Sequence, residues 1–179
     1  MEPPPLVRRA HALAAELGFT KSCRDEDGAL LHVLAGSRGI GRAAEIGTGA
    51  GVGAAWIASA LPPGVPLVTV ESDPALAAAA ARLFAEDSDV RVLAGSWRDV
   101  LPREAPFDLL FVDANDAKDD VEATLGLLAP RGLVVLDDFT PARPGPDPRR
   151  EAWLGHPELA GVEVLTAPSA ATIVASRRL

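Results

Sequence analysis

The chain has 179 residues, 48% of them hydrophobic and 23% charged, which is enough for one domain with a full core and excludes a disordered chain. Its formal net charge of −8 argues against nucleic acid as a partner, because phosphate binding needs a basic patch. The one cysteine, Cys23, excludes an internal disulfide; the Pro-rich start Met1–Pro5 has no secretory pattern, and no apolar run approaches the roughly 20 residues of a membrane span, so a cytoplasmic protein with no membrane partner is expected.

The elements follow in chain order. Leu6–Leu17 carries Leu6, Ala10, Leu13 and Leu17 at the spacing of one helical face, and Gly18 ends it. Asp25–Ala35 predicts a second helix with Leu30, Leu31 and Leu34 inward. Arg42–Ile46 is a short strand that runs into the glycine-rich turn Gly47-Thr48-Gly49-Ala50-Gly51-Val52-Gly53. Ala54–Leu61 is the helix after it, stopped by Pro62-Pro63-Gly64. A buried strand over Pro66–Glu71 precedes a helix from Asp73-Pro74 to about Glu86. Val90–Leu93 is a strand that leads to the turn Gly95-Ser96-Trp97. Phe107–Val112 is an almost purely apolar strand ending in Asp113. A helix over Asp119–Leu128 comes next, then a buried strand Gly132–Leu136 ending in Asp137-Asp138. Thr140–Pro148 holds four prolines and reads as a surface loop or lid. Val162–Leu165 and Thr172–Ala175 leave no room for a helix between them and predict an antiparallel hairpin.

Apolar strands alternating with helices indicate an α/β fold, a parallel sheet covered on both faces. Ligands in such sheets bind beyond the carboxyl ends of the strands. Those ends carry Glu45 with the glycines, Glu71, Gly95-Ser96-Trp97, Asp113 and Asp137-Asp138. Capping explains an acid at one strand end; it is a poor explanation for the set. Glu71 ends the second strand about 20 residues after the glycines, where a carboxylate can accept both hydroxyls of a ribose. Gly49-Ala50-Gly51-Val52-Gly53-Ala54 also satisfies the loose dinucleotide pattern. Glu45, on the strand itself, would repel a pyrophosphate on that turn, whereas an ammonium group would be welcome there.

Glu45-x-Gly47-x-Gly49-x-Gly51, Glu71, Phe107 through Ala114 and Gly132 through Asp138 together resemble the class I S-adenosylmethionine-dependent methyltransferases. Among them the chain is most similar to the catechol and caffeoyl-CoA type of O-methyltransferase, over roughly residues 20–179. The resemblance implies a Rossmann-like, doubly wound, mostly parallel seven-stranded sheet of order 3-2-1-4-5-7-6, with strand 7 antiparallel. It implies one domain over 1–179: N-terminal helices (1–38), a cofactor-binding core (39–138), a loop and helix near the acceptor pocket (139–160) and a C-terminal hairpin (161–179). The implied activity is methyl transfer from S-adenosylmethionine to a hydroxyl of a small-molecule acceptor, in a possible homodimer.

Cofactor contacts are expected at Ser22, Glu45, Gly47, Thr48, Gly49, Gly51, Glu71, Ser72, Gly95, Ser96, Trp97 and Asp113. Metal-binding relatives hold a divalent ion with an Asp after strand four and an Asp-Asn pair after strand five. Asp113, Asp137 and Asp138 stand there, the last an Asp for the Asn, and an all-oxygen set suits Mg²⁺ or Ca²⁺. Relatives often place a Lys three residues after the first of these, as base or charge partner. Here that residue is Asp116, and Lys118 lies two further on, one of two lysines in the chain with Lys21. Asp113, Asp116 and Lys118 are therefore the catalytic candidates. Trp153 and His156 are candidates for the acceptor pocket wall, with helix packing the other reading and the preferred one for His156. His11 and His32 read as structural or surface residues. Two alternatives remain open at this level: an NAD(P)-dependent oxidoreductase that reads the same glycines, and a silent cofactor-binding protein, motivated by Asp116.

Overall fold

Seven strands form one sheet in the computed structural model, which describes residues 1–179. They are β1 (Ala43–Ile46), β2 (Leu67–Glu71), β3 (Val90–Ala94), β4 (Phe107–Val112), β5 (Leu128–Phe139), β6 (Leu159–Ala167) and β7 (Ala170–Arg177). Their spatial order is β3-β2-β1-β4-β5-β7-β6. The first five are parallel, and β7 runs antiparallel to both β5 and β6. This is the order that the resemblance implies.

The helices are α1 (Pro5–Glu16), α2 (Asp25–Ala35), α3 (Val52–Ala58), α4 (Pro74–Leu83), α5 (Trp97–Val100), α6 (Asn115–Lys118), α7 (Val121–Leu125) and α8 (Pro148–Leu154). None is long and apolar enough to cross a membrane. Residue burial separates the two faces of the sheet. Ala44, Ile46, Val68, Val70, Leu110, Val112, Val134 and Leu136 join Trp97, Leu101, Leu125 and Trp153 in one core. Ala43, Leu67, Leu109, Phe111 and Val135 join Val7, Leu31, Trp56 and Phe84 in the other. Successive side chains of a strand point to opposite faces, so a run of apolar residues feeds both cores at once.

Several boundaries differ from the sequence reading, each for a local reason. The buried face of α1 is Val7, Ala10 and Ala14, and Leu17 is 43% exposed. Small alanines let α1 lie close on α3, a geometry that ranking by hydrophobicity overlooks. Helix α3 begins at Val52, because Gly51 is its left-handed N-cap and the turn passes straight into the helix. Helix α4 stops at Leu83, because Phe84 leaves the helical path and is buried in the α1–α3 core. Of the span Asp119–Leu128, expected as one helix, only Val121–Leu125 (α7) is helical, with Asp120 accepting from the Ala123 N–H at its start; the short α6 precedes it, and Leu128 already belongs to β5. Strand β5 starts at Leu128, where it pairs with Phe107. Both hairpin strands outrun their apolar alternation, pairing from Leu159↔Arg177 to Ala167↔Ala170.

Candidate active site

Strand β1 stands between β2 and β4, so the order of connection reverses there and opens a crevice above the carboxyl ends. A cavity of about 450 Å³ lies over the glycine turn and the acidic ends of β4 and β5. A second, of about 380 Å³, runs toward Gly95, Ser96 and Trp97. The two share Phe19, Gly47, Glu71 and Asp113 and so form adjoining halves of one groove.

The glycine turn is shaped by steric demand. Gly47 has φ +95°, and a Cβ there would stand 2.7 Å from the Asp113 carbonyl oxygen. Gly49 has φ +52°, and its Cβ would stand 2.7 Å from the Phe19 ring. A side chain at either position would be strained by its backbone and obstructed by its neighbour. Glu71 clamps the turn: one carboxylate oxygen accepts the Gly49 N–H at 2.8 Å, the other the Asp73 N–H at 2.9 Å. The Ser72 hydroxyl donates to Glu71 as well, at 3.3 Å. Each carboxylate oxygen retains acceptor capacity toward the groove.

Below the turn is a buried polar ladder. Thr69 donates its hydroxyl to Glu45 and meets the hydroxyl of Thr48. Glu45 is 1% exposed yet lines the first cavity. Burial pushes its carboxyl well above the usual range, and the Thr69 bond opposes that only in part. Ser22, also on the cavity wall, has a buried hydroxyl oxygen with no partner in the protein. A buried polar atom without a partner is costly, and this one borders a cavity able to receive a polar ligand. Phe19 bordering both halves was missed in the sequence; its one signal is an aromatic directly after the helix-ending Gly18.

At the other end of the groove three carboxylates converge, with one oxygen of each of Asp113, Asp137 and Asp138 within 4.8 Å of the others. The expected cluster is therefore present. Between them stands Lys118, whose side chain is 3% exposed. Its ammonium donates to Asp137 at 2.7 Å and lies 3.8 Å from an oxygen of Asp113 and 3.8 Å from one of Asp138. Burial, then the charge of Asp137, push the Asp113 carboxyl up to about 8, against the pull of Lys118. Burial raises Asp137 as well, while Lys118 draws it down. Asp138 has φ +64°, a left-handed conformation that Asp tolerates better than most residues. Its other neighbour is Arg24, at 3.8 Å.

Two candidates take other places. Asp116 turns away from this mouth: it accepts the Trp97 indole N–H at 2.8 Å and pairs with Arg98 at 2.7 Å. Against its desolvation, these bonds hold its carboxyl below the usual range, and its place is on the wall of the second cavity, not among the three carboxylates of the mouth. Trp97 is itself 5% exposed, borders the second cavity with its rim residues Gly95 and Ser96, and is held by Asp116. Trp153 is fully buried and lines neither half of the groove; its indole N–H donates to the Lys118 carbonyl at 2.8 Å. It supports the lysine from beneath. His156 packs by bonding Glu122, His11 bonds Asp25, and His32 bonds the Trp56 carbonyl.

A family model described as a methyltransferase domain matches residues 44–139, from β1 through β5. The chain belongs to that family. A probable O-methyltransferase of Mycobacterium tuberculosis is 37% identical over 117 residues, which are 61% of this chain and 52% of that protein. The chain thus spans about half the length of the curated relatives it matches. Among solved structures, the O-methyltransferase from Streptomyces achromogenes involved in tomaymycin synthesis, in complex with SAM, superposes with a TM-score of 0.80. It is 28% identical, and the match covers 98% of this chain and 91% of that one. An O-methyltransferase from Bacillus cereus in complex with SAH shares the fold at 21% identity, TM-score 0.80, over the same shares of the two chains.

The family match covers the parallel core β1–β5, and nothing in the fold or the comparisons favours the oxidoreductase alternative. Within the methyltransferase core, the matched span holds the glycine turn, Glu71 and the acidic cluster with its lysine. Ser22 and Phe19 reach the groove from the segment between α1 and α2, outside that span.

Proposed function

We propose that this chain transfers the methyl group of S-adenosylmethionine to a hydroxyl oxygen of a small molecule. One observation carries the reading: a single groove joins a glycine turn clamped by Glu71 to an acid–lysine mouth, in a chain of the methyltransferase domain family. The Streptomyces O-methyltransferase, similar over nearly the whole chain, supports both the cofactor and the acceptor class.

When bound, S-adenosylmethionine supplies a methyl group made electrophilic by its sulfonium. The chain's part is chiefly to position and to steer charge. The backbone of Gly47 through Gly51 admits the nucleoside close to the peptide planes, and Glu71 accepts from ribose hydroxyls. Gly95, Ser96 and Trp97, with Ser72, border the half of the groove where a base would lie. Ser22, Thr48 and Glu45 face the other half, suited to an amino acid moiety with its ammonium. Asp113, at the junction, has its carboxyl raised by burial to about 8, close enough to neutral pH for its ionised form to take the proton of an acceptor hydroxyl. Lys118 stabilises the oxyanion that forms, and Asp137 keeps Lys118 in place. The loop 140–148 borders the mouth through Thr140 and Arg143 and is the natural wall for the acceptor. A homodimer belongs to the same proposal, supported by the open edge of β6, where Val162 and Leu165 are exposed.

Titration calorimetry with S-adenosylhomocysteine against NAD(H) and NADP(H) tests the cofactor. Heat with S-adenosylhomocysteine alone is expected; heat only with a nicotinamide nucleotide ends the reading. Transfer of labelled methyl to a panel of catechols and other hydroxylated molecules then tests turnover, and binding without any transfer would leave a silent cofactor-binding protein. Light scattering decides the dimer.

A further inference from the structure

We propose that the Lys118 ammonium is the resident cation of the acidic mouth and takes the place that a divalent metal would hold among Asp113, Asp137 and Asp138. This rests on reading the groove as a methyltransferase site, and it departs from the metal that the resemblance suggests. By chemistry alone the donors suit Mg²⁺: three carboxylates with mutually close oxygens. They are closed around a nitrogen instead, which reaches an oxygen of every one of them within 4 Å.

The lysine is built in, not draped over the site. Its residue is 2% exposed, its carbonyl is held by the Trp153 indole at 2.8 Å, and the Thr124 hydroxyl holds the Ala117 carbonyl beside it at 2.9 Å. A long buried stem fixed at its base has few other places to put its charge. A divalent ion bridging the same oxygens would lie within a few ångströms of a fixed, desolvated positive charge, and the repulsion would be little screened. The sequence differences agree. The usual position for a lysine holds Asp116, which is spent on Trp97 and Arg98. The lysine is displaced two residues along, to where α6 delivers it into the cluster. Asp138 adds a negative charge that is met from outside by Arg24. The mouth thus presents an acceptor oxygen with an ammonium, a fixed donor of hydrogen bonds, in place of a Lewis-acidic ion.

The test is Mn²⁺ binding, followed by calorimetry and by loss of the free-ion paramagnetic resonance signal, with no need for turnover. The wild type is expected to show no saturable site. Lys118→Met keeps the stem and removes the charge, and is expected to bind one Mn²⁺ at least about tenfold more tightly than the wild type, on the scale of second-sphere effects on metal affinity. Lys118→Arg keeps the charge and is expected to bind none. A saturable Mn²⁺ site in the wild type that Asp137→Asn abolishes overturns the proposal. So does a folded Lys118→Met protein that binds no more Mn²⁺ than the wild type, since the carboxylates would then be no metal site in waiting. Should Lys118→Met not fold by circular dichroism, Lys118→Gln takes its place in the same comparison, and a saturable thermal shift of the wild type with Mn²⁺ still refutes the proposal. S-adenosylhomocysteine affinity of the wild type, measured separately, tells failure of this inference from failure of the methyltransferase reading.

Discussion

The two ends of the groove are made by different physics. The β1–β2 end is built from backbone and excluded volume: Gly47 and Gly49 have positive φ and no room for a methyl group, and Glu71 secures the turn with bonds to N–H groups. The β4–β5 end is built from charge: three carboxylates and one ammonium, with Asp113 and Asp137 raised by burial and drawn down by Lys118. Shape tolerates no addition, whereas charge tolerates exchange, provided the sum is kept. The first end is therefore held by shape and the second by a balance of charges.

That contrast can be broken most forcefully at the first end. Gly47→Ala forces a side chain into a left-handed position against the Asp113 carbonyl, and is expected to cost about 3–5 kcal/mol of stability in urea unfolding. Near-wild-type unfolding would show that the turn yields, and that shape is not what governs this end. Glu71→Ala should weaken S-adenosylhomocysteine by about 1–3 kcal/mol in calorimetry, the cost of leaving polar partners unpaired. Unchanged affinity would confine Glu71 to holding the turn.

The charged end is sharpened by pH. Asp113 binds its proton more tightly in the folded chain than in the unfolded one, so its contribution is most favourable below about pH 4 and falls as pH rises toward about 8. Asp113→Asn removes that loss. It should stabilise the ligand-free protein at pH 8 by more than about 1 kcal/mol and leave stability nearly unchanged at pH 4. Equal melting shifts at both pH values would show that Asp113 is ionised throughout. The smallest effect is expected at the rim of the second cavity. Asp116→Ala breaks a largely exposed pair with Arg98 and frees the Trp97 indole N–H, and should cost on the order of 1 kcal/mol while weakening S-adenosylhomocysteine less than Glu71→Ala does. A collapse of affinity would return Asp116 to the site.

Much of this was legible along the chain, and the reason is the parallel sheet. A strand buried on both faces reads as an apolar run, and the residue that ends it in a polar turn stands at the ligand-binding edge. Glu45, Glu71, Asp113 and Asp137 could be placed for that reason without any coordinates. Lys118 could be named but not located. A lysine at a helix start reads as solvated, and its burial depends on Trp153, which is 35 residues away in the chain. Trp153 in turn reads as a candidate pocket wall until α8 is seen packed beneath α6. Ser22 and Phe19 lie in a segment with no periodic pattern, and only the path of that segment over β1 brings them to the groove.

Periodicity, glycine spacing and strand-end acids, all local properties, sufficed by themselves to indicate the α/β class and the crevice, while the strand order and the family came from the resemblance of these motifs to known methyltransferases. Which charges meet inside the crevice was decided only by the tertiary structure. A side chain's partners depend on where distant elements pack, and low-dielectric surroundings make the difference between a solvated lysine and a resident cation.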